Sequence, residues 1–260
     1  METEPLPVTT ANGVATVVIN RPARKNAITK AMWVELASHV NRLSSEPGVR
    51  VIVLRGAGQD FSAGADISEF DTLRGDADSA RAYEATNSAA FAALRNCTIP
   101  VIAAIRGICF GGGLGLAAAC DLRIATPDAL FAVPAARLGL AYPQDAMGDI
   151  VWAAGPQMAR YLTYTAGRIN AQAALSAGFL LEIVEALHFD TRVGEIARTI
   201  AENAPLSVRA SKAAIRSALS HDAGEIAFAQ AAGDATFLSD DYAEGRAAFA
   251  GRRTPVFKGK

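Results

Sequence analysis

Gly107-Ile108-Cys109-Phe110-Gly111-Gly112-Gly113-Leu114-Gly115 is the stretch that decides the fold. Pro100 opens an apolar run before it, Val101 to Ile105, which reads as a buried strand. Leu114 to Cys120 after it is apolar and rich in alanine, which predicts a buried helix. Strand, glycine turn and helix in that order make an α/β unit. A second turn of small residues, Phe61-Ser62-Ala63-Gly64-Ala65-Asp66-Ile67, follows another short buried strand, Val51 to Leu54. Further out, Val14 to Asn20 reads as a strand and Pro22 to Asn26 as its break. Lys30 to Leu43 and Ser79 to Leu94 carry apolar residues at helical spacing, and Leu122 to Ala125 and Leu130 to Val133 read as short strands. After about residue 140 the pattern turns helical: 144–154, 157–165, 171–177, 192–203, 206–219, 224–238 and 241–250. Leu180 to Val184 is the one strand expected among them. The class is α/β, with a helical second half that is either a separate layer or an oligomerisation element.

Composition narrows the function. Of 260 residues, 51% are apolar and 20% charged, the balance of a globular chain. Lys and Arg number 25 against 26 Asp and Glu, a net charge of −1, which argues against a nucleic-acid partner. No apolar run reaches the ~18–20 residues of a membrane span. Met-Glu-Thr-Glu-Pro at the start has neither the basic nor the apolar region of a signal peptide. Three cysteines, Cys97, Cys109 and Cys120, form no metal-ligand spacing or disulfide framework. A reduced, cytoplasmic protein without membrane, metal or nucleic-acid partner is the expectation.

The two glycine-rich turns carry the chemical signal. Small residues let a ligand approach the backbone closely. N–H groups at a helix start face developing negative charge without having to reorganise. One such N–H from each turn would make an oxyanion hole. Each turn alone is better explained by tight turning and close packing, since short glycine motifs are common. Neither turn is a Walker A loop, because no Gly-Lys-Ser/Thr follows, and no dinucleotide-binding fingerprint is complete.

Taken together and in order, the segments resemble the crotonase (enoyl-CoA hydratase/isomerase) superfamily. The resemblance runs through Asn20-Arg21-Pro22 with Asn26-Ala27-Ile28, the Phe61–Ile67 turn, Pro100 to Gly107 and Gly111–Gly113. It continues through Cys120 to Ala125, Arg137 to Leu140, Thr165 to Ile169, and the stretch from Asp241-Tyr242 to Phe257. It implies a spiral of ββα repeats over residues 1–200 and a helical trimerisation region over 201–260. It also implies an acyl-CoA thioester as substrate, bound by a homotrimer or dimer of trimers. Coenzyme A then belongs to the substrate, and no separate cofactor is needed.

Carried over residue by residue, the resemblance gives the oxyanion donors as the N–H groups of Ala65 and Gly112. Ala63, Asp66, Ile67, Gly111 and Ala135 are expected among the substrate- and CoA-binding residues. Arg24 and Lys25 lie where the family contacts the ADP portion of CoA, and Lys258 where a tail reaches a neighbour's CoA. The family's hydratases place two glutamates where this chain has Gly115 and Ala135. Neither replacement can carry a proton, so ordinary hydration is expected to be weak or absent. Another enolate reaction (decarboxylation, isomerisation or hydrolysis) or a catalytically inactive acyl-CoA binder are the alternatives. Tyr142 matches a tyrosine of the decarboxylase branch and is read as an acid or orienting group, or as packing at a helix start. Arg137 is read as a clamp for an acyl carboxylate or as a partner of Asp145. Asp66 is also read as the cap of the following segment, and His39, His188 and His221 as structural.

Overall fold

Residues 4–260 are described by the computed structural model. The elements in chain order are β1 (Val8–Ala11), β2 (Val14–Ile19), α1 (Lys30–Ser45), β3 (Val51–Gly56), α2 (Phe70–Leu73), α3 (Ala77–Asn96), β4 (Val101–Ile105) and β5 (Ile108–Phe110). There follow α4 (Gly112–Ala119), β6 (Leu122–Ala125), β7 (Leu130–Ala132), α5 (Gln144–Thr165), β8 (Arg168–Asn170), α6 (Ala171–Ser176) and β9 (Glu182–Ile183). The chain closes with α7 (Phe189–Glu202), α8 (Pro205–Ser220), α9 (Ala223–Thr236) and α10 (Asp240–Ala250).

A six-stranded sheet in the order β1-β2-β3-β4-β6-β9 forms the floor of the spiral, parallel throughout except for β1. Its middle strands are buried on both faces, which is why Val51 to Leu54 and Val101 to Ile105 read as unbroken apolar runs rather than alternating ones. On one face, Val51, Val53, Ile102 and Ile124 pack under Phe189, Val193 and Ala197 of α7. The other face meets the main core, which includes Trp33 and Leu36 of α1 and Phe91 of α3.

A second, smaller sheet, β5-β7-β8, contributes Cys109, Phe131 and Ile169 to that core. Isolated parallel bridges, Ile28 to Ala65 and Ser62 to Cys109, extend it sideways. The Phe61–Ile67 turn is thereby seated beside the glycine run that starts α4. β1, β5, β8 and α2 were not expected from the sequence. They are three or four residues long, and pairing with distant neighbours holds them more than local propensity does. The second half accordingly has two strands, and the 180–184 strand is confined to Glu182–Ile183. The break expected between 154 and 157 is a kink inside α5, where Gly155 takes φ +75° before Pro156.

Helix ends follow the chemistry of their caps. Thr29 accepts from the Met32 N–H to start α1, and Asp76 and Ser79 make a reciprocal capping box for α3. The segment after α10 folds back along it. Asp241 accepts from the N–H groups of Lys258 (2.7 Å) and Gly259 (2.8 Å). Glu244 pairs with Arg253 and accepts from the Val256 N–H, and the Arg253 contacts, first among these, hold its carboxyl at about 2. Arg50, just before β3, donates to the carbonyls of Ala201 (2.6 Å) and Phe257 (2.7 Å). No helix among the described residues is long and apolar enough to cross a membrane.

One buried ion pair fixes α3 against α5. Arg95 grips Asp149 through two bonds, Nε to Oδ1 at 2.6 Å and Nη2 to Oδ2 at 2.7 Å, and the Asp149 side chain is 2% exposed. Removing the carboxylate strands a half-buried guanidinium. Asp149→Ala is expected to cost about 3 kcal/mol in urea denaturation, the low end for a broken buried pair because Arg95 keeps some contact with water. A loss below about 1 kcal/mol, typical of a surface pair, would contradict this.

Candidate functional site

The site is built from backbone first. The Ser62 N–H donates to Ile108 O and the Phe110 N–H to Ser62 O, both at 2.9 Å. On the other side of the same turn, the Ile28 N–H donates to Gly64 O (2.8 Å) and the Asp66 N–H to Ile28 O (2.9 Å). The N–H of Ala65 therefore points away from this bridge, and it meets no acceptor among the described residues. The Gly112 N–H, at the first position of α4, is likewise without an acceptor. The two groups are neighbours. A β-carbon on Gly64 would lie 2.9 Å from Gly112 N, and one on Gly112 would lie 3.6 Å from Ala65 N.

Both N–H groups belong to the wall of a cavity of about 120 Å³. Ala63, Ala65, Ile67, Gly111, Gly112, Ala135 and Tyr142, all expected at the site, line it. Asp66 does not line it. Its carboxylate accepts from Arg21 at 2.8 Å and from the N–H and hydroxyl of Ser68, so the cap expected from the sequence is present and an ion pair is added. Burial pushes the Asp66 carboxyl up, but the Ser68 and Arg21 contacts outweigh it and hold it below its ordinary value.

The other expected residues sit elsewhere. Arg24 and Lys25 are exposed on the loop after β2, and Lys25 O accepts from the Ala63 N–H (2.9 Å), which ties that loop to the first turn. Lys258 is exposed on the segment after α10 and does not line the cavity. Arg137 is exposed at the end of the 3-10 turn Pro134–Leu138 and does not line it either. The expected Arg137–Asp145 pair is not formed. Asp145 instead accepts from the Ser88 hydroxyl (3.2 Å) and lies 3.5 Å from Arg95, because the start of α5 faces α3.

Tyr142 has a defined job in the backbone. Its hydroxyl donates to Gly111 O at 2.9 Å, and burial pushes the phenol far above its ordinary range, so it stays neutral. Gly111 O also accepts from the Gly115 N–H (3.1 Å). The Gly111 carbonyl and the Gly112 N–H are opposite ends of one planar trans peptide. Fixing the carbonyl on Tyr142 also fixes the direction of the N–H of Gly112, a residue of the cavity wall. Gly111 adopts φ +52°, ψ −120°, a conformation that favours glycine.

Gly115 is filled space rather than vacancy. A β-carbon there would collide with the Tyr142 hydroxyl and lie 2.8 and 2.9 Å from the Phe91 ring. The sequence reading missed the opposite wall entirely. Arg74, Glu84 and Asn87, on and just before α3, line the same cavity. Arg74 pairs with Glu84 and lies over the rings of Phe70 (4.6 Å) and Tyr83 (5.0 Å). Asn87 is buried, and its Oδ1 has no partner.

Comparison with known proteins identifies the family of the chain. A family model described as enoyl-CoA hydratase/isomerase matches residues 9–260. A crotonyl-CoA hydratase of Syntrophomonas wolfei is 34% identical over 249 residues, covering 95% of each chain. A (7aS)-7a-methyl-1,5-dioxo-2,3,5,6,7,7a-hexahydro-1H-indene-carboxyl-CoA hydrolase of Rhodococcus jostii is 35% identical, covering 80% of this chain and 78% of its own. The crystal structure of an enoyl-CoA hydratase/carnithine racemase from Magnetospirillum magneticum superposes with a TM-score of 0.92 at 36% identity, covering 100% of this chain and 97% of that one.

The packing at Gly115 makes a checkable claim. Gly115→Ala is expected to destabilise the fold by about 1–3 kcal/mol through overpacking. In a Tyr142→Phe background part of that cost should disappear, because the hydroxyl that meets the new methyl is gone. A double-mutant cycle by urea denaturation with no coupling between the two positions would refute the contact.

Proposed function

Since the chain belongs to the enoyl-CoA hydratase/isomerase family, and is an acyl-CoA enzyme of the crotonase superfamily, we propose that it works through a thioester enolate held by Ala65 and Gly112. The observation that carries this reading is the pair of adjacent N–H groups without acceptors on one cavity wall. When a base takes a proton from C2 of the acyl group, charge moves onto the thioester oxygen. Two preorganised donors there are worth about 3–4 kcal/mol each in comparable oxyanion holes. Tyr142, by holding the Gly111 carbonyl, keeps one of them aimed.

The remaining roles follow from placement and charge. Arg24 and Lys25 are exposed cations with no ion-pair partner among the described residues, at the edge of the first turn and suited to the phosphates of CoA. Lys258 serves a neighbouring subunit's CoA in the same way. Residues 201–260 form the oligomerisation region of a homotrimer or a dimer of trimers. Ile215, Phe228, Phe237 and Phe249 support this as large apolar side chains exposed on α8, α9 and the segments beyond. No cofactor beyond the CoA of the substrate enters the reaction.

Hydration is not the favoured reaction. Gly115 and Ala135 offer no carboxylates, and the Tyr142 hydroxyl and Phe91 ring occupy the space beside Gly115. A malonyl-type substrate loses its support, since Arg137 is exposed away from the cavity. Crotonyl-CoA hydration is expected below the typical enzyme kcat of about 10 s⁻¹. Exchange of the C2 protons of butyryl-CoA in D2O, followed by NMR, is expected for the wild type. Tyr142→Phe should slow it more than tenfold, with butyryl-CoA Kd little changed; a smaller effect would reduce Tyr142 to packing. Light scattering at micromolar concentration should give three or six chains, and a monomeric mass would refute the assembly.

A further inference from the structure

Resting on the enolate reading above, we propose that Glu84 takes and returns the substrate proton in this cavity, with Arg74 as its positioning residue. Among the described residues that line the cavity, Glu84 is the sole carboxylate and Arg74 the sole cation. The other polar groups on the walls are poor proton carriers. A guanidinium such as that of Arg74 only donates hydrogen bonds and has no acceptor site for a proton. The Tyr142 hydroxyl is committed to Gly111 O, and Asn87 is an amide with no acid or base function. Proton transfer at C2 therefore falls to α3, on the wall facing the two turns, and not to the positions of Gly115 and Ala135.

Glu84 is held for such a task. Arg74 takes its Oε2, while Oε1 has no hydrogen-bond partner among the described residues. The guanidinium is fixed in turn by stacking over Phe70 and Tyr83, and its side chain is 11% exposed. One carboxylate oxygen is anchored and the other is left to meet a proton. Burial pushes the Glu84 carboxyl above its ordinary value even against the Arg74 charge, and Asp145 on α5 pushes the same way. A raised carboxyl is a stronger base when ionised, whereas Gly115 and Ala135 carry no ionisable group at all.

A single carboxylate suits a reaction that removes one proton and puts it back. But-3-enoyl-CoA is the probe for this. Glu84 as carboxylate takes a proton from C2, and the C–H electrons pass through C1 to the thioester oxygen on Ala65 and Gly112. Return of the electrons from that oxygen reforms the carbonyl, moves the double bond to C2–C3, and draws the same proton from the Glu84 carboxyl onto C4. The product is crotonyl-CoA, with no water, oxidant or second acid consumed.

The experiment measures but-3-enoyl-CoA isomerisation by absorbance, C2 exchange in D2O by NMR, and butyryl-CoA binding by calorimetry. Thermal melting and circular dichroism check the fold of each variant. Glu84→Gln, nearly isosteric, is expected to lower isomerisation and exchange by at least 10²-fold, the usual reach of a general base, with Kd changed less than threefold. Glu84→Asp should recover part of the rate. Arg74→Gln should move the acidic limb of kcat/KM to higher pH, since the cation that favours ionised Glu84 is lost, an effect a merely structural arginine would not produce. A folded Glu84→Gln protein within tenfold of wild type overturns the assignment while leaving the enolate reading intact. A wild type that binds butyryl-CoA but exchanges no C2 proton overturns the enolate reading and this proposal with it.

Discussion

The absence of one β-carbon governs the arrangement of the site. At Gly64 that carbon would sit 2.8 Å from Phe110 O and 2.9 Å from Gly112 N, closer than real β-carbons approach other atoms. Without it, the first turn closes against the start of α4, and two peptide N–H groups from distant parts of the sequence share one small space. Gly64 also takes φ +93°, which an L side chain would resist independently. The bridges from Ser62 to Cys109 and from Ile28 to Ala65 can form only at this spacing. The seating of the first turn against β5 and the closeness of the two N–H groups follow from that approach.

The site is coupled across its walls rather than assembled from independent parts. Tyr142 lies on the loop before α5, yet it acts on a peptide of the glycine run, because its hydroxyl meets the Gly111 carbonyl. That hydroxyl and the Phe91 ring take up the volume beside Gly115, so the glycine there is demanded by packing. Phe91 stands edge-on to Trp33 at 5.7 Å, and Trp33 bounds Gly112 from below. A change at any of these positions is felt at the others. The Arg95–Asp149 pair holds α3, which carries Glu84 and Asn87, in register with α5, which begins just after Tyr142 and Pro143 of the cavity wall.

Much of this was legible in the residues, and the rest was hidden for physical reasons. Val101 to Ile105 and Val51 to Leu54 announce themselves because strands buried on both faces leave no polar alternation. Gly155-Pro156 announces a break because neither residue continues a helix easily. The backbone half of the site was legible because glycine and alanine at close approach leave a signature in the letters themselves. β5 was read as part of a turn, since its three residues owe their extension to partners around Ser62 and Phe131. Glu84 and Arg74 were passed over because a carboxylate on an alanine-rich helix and an arginine in a polar loop look like solvated surface. Only the stacking of Arg74 on Phe70 and Tyr83 turns that pair inward. Arg137 shows the converse: proximity in sequence to Tyr142 did not bring its side chain to the same cavity.

The fold-back after α10 bears on how the chain is made. Arg50 stands at the entrance to a central strand, yet one of its acceptors is the carbonyl of Phe257, 207 positions later. Asp241 waits for the N–H groups of Lys258 and Gly259, and Glu244 for Arg253. During vectorial synthesis the spiral can collapse on its apolar core while these groups still lack their partners. Helix α8 has its own ties to the spiral, Lys212 to Ile99 O and Asp121 and Arg216 to Asn96, but α10 gains its partners only when residues 253–260 are present. Closing so long a loop late costs little more entropy than closing a shorter one, because that cost rises only with the logarithm of length. The cavity-bearing half can thus acquire its core before the last segment seals the entrance to β3 at Arg50.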